Sequence, residues 1–179
     1  MTTKRLNIGC GKNPKQGWLN LDRATLPGVD IVHNIEKLPL PFADEEFDEI
    51  CCNNVLEHTE YTPILKELHR ILKPSGILTI EVPHFTSRNN YSDPTHKKLF
   101  AIDTFDFFVK GKTDKDYYFD FHFGKINRRR IKFLKKGFCW GNCMVEPLFN
   151  LSEKMQYIYE STFLSRMFPA NNIFVELVK

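Results

Sequence analysis

The chain has 179 residues, enough for one domain around one sizeable core. At 42% hydrophobic and 26% charged residues it reads as globular and excludes a disordered chain. A formal net charge of +3 is too small, taken alone, to imply a nucleic-acid partner. No apolar run approaches the ~20 residues that a membrane-spanning helix needs. The start, "MTTKRLNIG", runs straight into a strand pattern, so no signal peptide is expected. Five cysteines are an odd number without framework spacing, which predicts free thiols and a reducing, cytoplasmic setting. Cys139 and Cys143 stand four apart with no second ligand pair, so no metal is expected.

"RLNIG" (Arg5 to Gly9) predicts a first strand that stops at glycine. "WLNLD" (Trp18 to Asp22) predicts a second, and "VDIVHN" (Val29 to Asn34) a third, after Pro27-Gly28. "FDEICCNN" (Phe47 to Asn54) predicts a fourth. The period then changes: Ile64, Leu65, Leu68, Ile71 and Leu72 follow helical spacing. Thr62 and Pro63 suit the start of that helix, and Pro74 and Gly76 its end. "ILTIEVP" (Ile77 to Pro83) predicts a fifth strand. Strands alternating with helices or loops predict an α/β fold with a mostly parallel sheet.

The second half is less regular and rich in aromatics. "SRNNYSDPTHKK" (Ser87 to Lys98) reads as a polar loop, and "AIDTFDFFVK" (Ala101 to Lys110) as a short helix with Asp103 as its cap. "YYFDFHF" (Tyr117 to Phe123) and "KINRRRIKFL" (Lys125 to Leu134) have strand character. Ser152 to Phe168 predicts a helix starting at Ser152, and Asn172 to Lys179 a closing strand. There is no internal repeat or linker. We expect a single domain over residues 1–179, with a cofactor-binding half over 1–85 and an acceptor-side half over 86–179.

The glycine turn after the first strand lets a ligand approach the backbone closely. A dinucleotide site needs G-x-G-x-x-G opening a helix whose N-terminus holds the pyrophosphate. Here only Gly9-Cys10-Gly11 is present, Pro14 takes the third glycine's place, and a full helix does not fit before Trp18. Asp22 follows Gly11 by eleven residues, where dinucleotide folds place their acid about twenty on. S-adenosylmethionine carries no phosphate. It needs a close backbone for its amino-acid end and an acid for its ribose hydroxyls, and the clipped loop offers both. The plainer alternative is a glycine turn in an unrelated α/β protein.

"NIEKLPLPFADEEFDEICCNNVLEH" (Asn34 to His58) resembles the small class I methyltransferases, with their "D-A-x-x-L-P-F", "F-D-x-I" and "V-L-E-H" segments. The opening is similar to their short-loop "LNLGCG…GW.N.D" variant, and "LHRILKPSGILTIEVPHF" to their helix and fifth strand. "YSDPTHKKLF" and "FPANNIFVEL" resemble a subgroup found among sugar and polysaccharide biosynthesis enzymes. The resemblance implies a Rossmann-like fold with seven strands, the last antiparallel, a shortened first helix, and S-adenosylmethionine as cofactor. It implies that Gly9, Cys10 and Gly11 line the methionine part and that Asp22 takes the ribose. Asn34 stands where the family has an Asp for the adenine amino group; its carbonyl accepts the same bond without the charge. Ile35 would wall the ring, and Asn53 would face the amino-acid end.

Methyl transfer to a hydroxyl needs an aligned acceptor and a base, near the carboxyl ends of the fourth and fifth strands. Four residues compete for that role: His58 in "LEHT", His84 in "EVPHF", and Asp93 with His96 in "SDPTH". An Asp and a His three apart can pair, and an oriented imidazole is a sensible base. Each has a structural alternative: a helix-capping His58, a packed His84, a turn-forming Asp93. From Lys125 to Lys136 seven of twelve residues are basic and none acidic. That run suits phosphates, or a solvated edge strand protected by charge. We expect an S-adenosylmethionine-dependent methyltransferase of a sugar-like hydroxyl on a small molecule. The alternatives are an RNA or protein methyltransferase using the basic strand, and a cofactor-binding partner protein without turnover.

Overall fold

The computed structural model of the chain describes residues 3–135 and 141–179. Seven strands make one sheet: β1 (Arg5–Ile8), β2 (Leu19–Asp22), β3 (Ile31–Val32), β4 (Phe47–Asn53), β5 (Leu72–Pro83), β6 (Lys125–Lys132) and β7 (Asn172–Val178). Their order is β3-β2-β1-β4-β5-β7-β6. The first five run parallel, and β7 is antiparallel to both β5 and β6. This is the expected α/β, Rossmann-like arrangement with a reversed last strand. The order reverses between β1 and β4, which creates a crevice at the carboxyl ends of those strands.

Burial explains the register. Leu6, Ile8, Ile50 and Cys52 are almost fully buried in adjacent strands, and Leu78, Ile80 and Val82 continue the apolar layer into β5. Helix α1 (Tyr61–Ile71) covers this core with Ile64, Leu65, Leu68 and Ile71, the residues whose spacing predicted it. Its start differs from expectation: Glu60 occupies the N-cap position and no side chain caps the helix. Thr62 and Pro63 lie within the first turn. At its end the chain enters β5 directly at Leu72, and Ser75 (φ 64°) and Gly76 fall within that strand's first turn of chain.

No helix joins β1 to β2. Asn20 pins the loop instead. Its Oδ1 accepts from Lys15 N (2.8 Å), and its Nδ2 donates to the carbonyls of Lys15 (3.1 Å) and Trp18 (3.0 Å). Three backbone groups of the loop are thus satisfied by one buried amide, and backbone turns from Asn13 N to the Cys10 carbonyl and from Trp18 N to the Lys15 carbonyl satisfy others.

The second half departs further. The helix expected over Ala101 to Lys110 is a 3-10 turn at Thr104–Phe108, and Asp103 makes no side-chain cap. Tyr117 to Phe123 is not a strand: Asp116–Tyr118 is a 3-10 turn, and Phe121 and Phe123 are buried in an aromatic cluster with Phe108. The polar loop contains a single helical turn, α2 (Asn89–Ser92). Beyond β6 lie α3 (Asn142–Phe149), α4 (Glu153–Ser161) and α5 (Leu164–Met167). Ser152 caps α4 through its hydroxyl, as expected, accepting from Met155 N (3.2 Å), but the helix breaks before α5. Cys139 and the end of the basic run, Lys136, lie outside the described residues. Among the described residues, no helix is long and apolar enough to cross a membrane.

Candidate active site

The crevice at the strand ends is a cavity of about 470 Å³. It is lined by Gly9 from the end of β1, Asp22 from β2, Asn34 and Ile35 beyond β3, and Asn54 and Val55 beyond β4. Gly9 has φ +62°, and a Cβ there would stand 2.2 Å from Val55 Cγ2. Only glycine fits that turn against that wall. Gly11, at φ +51°, donates its N–H to Asp22 Oδ2 (2.8 Å), while Ala24 N donates to Asp22 Oδ1 (2.9 Å). The carboxylate is thus held by two backbone donors and keeps lone pairs for hydroxyls.

Four of the seven residues expected to hold the cofactor, Gly9, Asp22, Asn34 and Ile35, line this cavity together. Cys10, Gly11 and Asn53 are not among its lining residues. Cys10 is buried, and burial, with the nearby Asp22 charge second, raises its thiol pKa. Gly11 acts through Asp22. Asn53 Oδ1 is buried with no hydrogen-bond partner among the described residues. That orphaned acceptor at the end of β4 is suited to the ammonium of an amino-acid ligand. Asn34 Oδ1 accepts from Glu36 N (3.0 Å), so one of its lone pairs is already engaged by its own turn. A nucleoside with vicinal hydroxyls and an amino-acid tail fits this donor set, and with no helix N-terminus at the glycine turn a pyrophosphate does not.

A second cavity opens beside the first and shares Asn54, His58 and Pro94 with it. Here the fold brings together three of the four expected catalytic residues, His58, Asp93 and His96, and adds Glu57. The His58 and His96 rings meet edge to face, with centroids 4.7 Å apart. Thr95 links the group: its Oγ1 lies 2.6 Å from Asp93 Oδ1 and 2.9 Å from His58 Nδ1. The hydroxyl proton goes to the carboxylate, so Thr95 accepts from His58 Nδ1–H, which leaves the Nε2 lone pair free. His96 Nδ1 faces Asn90 Oδ1 (3.4 Å), and its Nε2 faces Asp93 Oδ2 (3.6 Å). Burial lowers the His96 pKa, the neighbouring His58 adds to this, and Asp93 opposes it. Asp93 is held below the usual carboxylate range by the Thr95 hydroxyl and then its N–H.

Glu57 is the residue that sequence reasoning missed. It sits in the 3-10 turn Leu56–His58 and is 1% exposed. Neither carboxylate oxygen has a partner among the described residues. Burial pushes its pKa up to about 7, against an opposing hydrogen bond from its own backbone, and the charge of Asp93 adds a smaller upward push. Its only signal in the sequence was its place beside His58 in "LEH".

His84 lies apart. It is fully buried and lines neither cavity. Nδ1 pairs with Thr86 Oγ1 (2.7 Å) and Nε2 with Glu160 Oε1 (2.8 Å). Its position ties β5 to α4. Replacing His84 with alanine is expected to lower stability by about 1–3 kcal/mol, the cost of orphaning a buried partner. Urea unfolding measures this, and S-adenosylmethionine affinity should not change; intact stability with lost turnover would return His84 to the reacting centre.

Residues 6–80, less than half of the chain, match the family model described as "Methyltransferase domain". An uncharacterized protein of Methanocaldococcus jannaschii is 38% identical over 94 residues, covering 48% of this chain and 41% of that protein. A demethylmenaquinone methyltransferase of Lysinibacillus sphaericus is 30% identical over 86 residues, covering 42% of this chain and 36% of that protein. The chain spans less than half the length of these curated relatives. Among solved structures, a SAM-dependent methyltransferase from Archaeoglobus fulgidus superposes with a TM-score of 0.60 at 21% identity, covering 99% of this chain and 86% of that one. The YcgJ protein of Bacillus subtilis superposes with a TM-score of 0.61 at 15% identity, covering 99% and 92%. The chain therefore has the Rossmann-like methyltransferase fold, and residues 6–80 carry the sequence pattern of a methyltransferase domain.

Proposed function

We propose that this protein is an S-adenosylmethionine-dependent methyltransferase acting on a hydroxyl of a sugar or related small metabolite. The observation that carries the proposal is the pair of adjoining cavities. One presents Asp22, Asn34 and Ile35 to a nucleoside; the other presents His58, Asp93 and His96 to an acceptor. The family match over residues 6–80 supports the cofactor half. The three residues shared by both cavities, Asn54, His58 and Pro94, support a reading in which acceptor and methyl donor bind side by side.

When bound, S-adenosylmethionine supplies an electrophilic methyl, whose carbon–sulfur bond breaks as a bond to the acceptor oxygen forms. The chain's part is to orient both partners and to take the hydroxyl proton. Asp22, fixed by Gly11 and Ala24, holds the ribose hydroxyls. The proton passes to the cluster of His58, Asp93 and His96, in which we assign His96, steadied by Asp93, as the base. The small-molecule acceptor is favoured by the relatives that bear the name demethylmenaquinone methyltransferase. Three of the seven basic residues of the run are paired within the protein: Arg129 with Asp106, Lys132 with Glu81 and Lys135 with Glu146.

Calorimetric titration with S-adenosylmethionine and, separately, NADH tests the cofactor. Binding of the first alone is expected; binding of NADH alone would overturn the reading. Asp22→Ala should weaken S-adenosylmethionine binding about tenfold or more, because charged hydrogen bonds are worth ~1.5–3 kcal/mol. Unchanged affinity would remove Asp22 from the ribose. A methyl-transfer screen against sugars, quinols and RNA then identifies the acceptor.

A further inference from the structure

The acceptor-side cavity holds more acceptors than its chemistry so far explains. Glu57 lines it, and both oxygens of its buried carboxylate lack a partner among the described residues. His58 Nε2 stands 4.0 Å from Glu57 Oε1, and the Thr95 hydrogen bond leaves that nitrogen a lone pair. His96 presents Nε2 while Nδ1 is engaged by Asn90. One ligand atom from each of Glu57, His58 and His96 lies within 4.8 Å of the other two. Among the described residues, no lysine or arginine lines this cavity. A buried carboxyl and two imidazole nitrogens this close together form a ligand set that a cation can share.

We infer that Glu57, His58 and His96 bind a divalent first-row transition-metal ion in the cavity beside the methyl-donor site. Two imidazoles and one carboxylate suit Mn²⁺, Fe²⁺, Co²⁺ or Zn²⁺ better than Mg²⁺ or Ca²⁺, which prefer oxygen alone. Metal–nitrogen and metal–oxygen bonds of about 2.0–2.2 Å put tetrahedral ligand atoms roughly 3.3 Å apart. Side-chain rotation closing the present spacing, which is within 4.8 Å, by up to about 1.5 Å reaches that distance. The outer contacts are already in place. Thr95 accepts from His58 and Asn90 from His96, fixing tautomer and ring orientation as partners of metal-bound histidines do. Three protein ligands leave a position open toward the cavity, as catalytic sites do.

The ion's use rests on the methyltransferase reading; its binding does not. In that reading the open position takes the acceptor hydroxyl oxygen. The ion draws electron density from it and orients its lone pair at the methyl carbon. The oxygen–carbon bond forms, the carbon–sulfur bond breaks with its pair going to sulfur, and the hydroxyl proton goes to Asp93. No electron changes hands. His96 then serves as ligand and Asp93 as proton acceptor, which revises the assignment made for a metal-free site.

The test is titration of the chelator-treated full chain with Co²⁺, read by visible absorption, with Mn²⁺ and Zn²⁺ followed by calorimetry. Wild-type protein is expected to bind one ion, with bands of nitrogen and oxygen ligation. Glu57→Gln and His96→Ala, checked for folding by circular dichroism, should each weaken binding about a hundredfold or more. His96 sits in a surface loop, so its replacement tests the site even where Glu57→Gln fails to fold. No binding of the three ions, equal binding by both variants, or a sulfur-to-cobalt band placing the ion on a cysteine would overturn the inference. S-adenosylmethionine titration of the same samples separates the two readings. Cofactor binding without metal binding rejects the ion alone; metal binding without cofactor binding rejects the methyltransferase alone.

Discussion

His96→Ala is expected to lower turnover roughly a hundredfold or more and to leave S-adenosylmethionine affinity unchanged. Positioned proton transfer contributes about 10²–10⁴-fold to a rate, so loss of the imidazole should show in kcat. The expectation of unchanged affinity is geometric. His96 lines the second cavity, not the cavity formed by Asp22, Asn34 and Ile35. The ring also takes part in no strand pairing, since it lies in the loop after α2. Single-turnover methyl transfer and cofactor titration on one preparation check both halves. Wild-type turnover would reject the assignment. A fall in affinity equal to the fall in turnover would show that the loop shapes the cofactor cavity instead. Supplementation separates base from ligand: if His96 holds an ion, excess Co²⁺ or Mn²⁺ partly restores the variant, whereas a lost base is not restored by metal.

The first half of the fold was legible because its signals are local. Gly9 stops β1, and its positive φ leaves no alternative residue. Ile64, Leu65, Leu68 and Ile71 repeat at helical spacing because one face of α1 is buried. The second half misled for a physical reason. Phe119, Phe121 and Phe123 alternate as a strand would, but the rings of Phe119 and Phe121 pack on Phe108, with centroids 4.5 Å and 5.7 Å away, and that of Phe123 packs on Phe121. Alternation reports one-sided burial, not pairing with a neighbouring strand.

The site divides the same way. Asp22 was readable from its place at the end of a strand after a glycine turn. The meeting of His58 with His96 was not, because 38 residues separate them and Thr95 makes the link. Glu57 escaped notice because burial, not residue type, makes it unusual. A glutamate after β4 reads as solvated until the fold encloses it. His84 shows the converse: a histidine after a strand invites a catalytic role, and only its pairing with Glu160 and Thr86 explains it as a packed residue.

The basic strand supplies the prediction with the largest effect on stability. Arg129 sits at the sheet edge in sequence terms, yet its side chain is only 7% exposed and Asp106 only 14%. Nη1 binds Asp106 Oδ1 (2.6 Å) and the Ile102 carbonyl (3.3 Å). Burial raises the Asp106 pKa, and Arg129 opposes that rise. Arg129→Met removes the cation bonded to a mostly buried carboxylate, leaves Lys112 as its remaining cationic neighbour, and frees Glu153 from its 3.6 Å contact with Arg129. Breaking a buried pair from one side costs about 3–5 kcal/mol. Urea unfolding should therefore show a midpoint shift of that size, with cofactor affinity retained in the folded fraction. Removing both charges, in Arg129→Met with Asp106→Leu, should recover most of the loss, because the penalty lies in the stranded charge more than in the lost attraction. Additive losses in the double variant would mean that each side chain contributes packing of its own. A small effect of Arg129→Met alone would mean that Asp106 takes up a proton on losing its partner, and that the strand's charge serves something outside the fold.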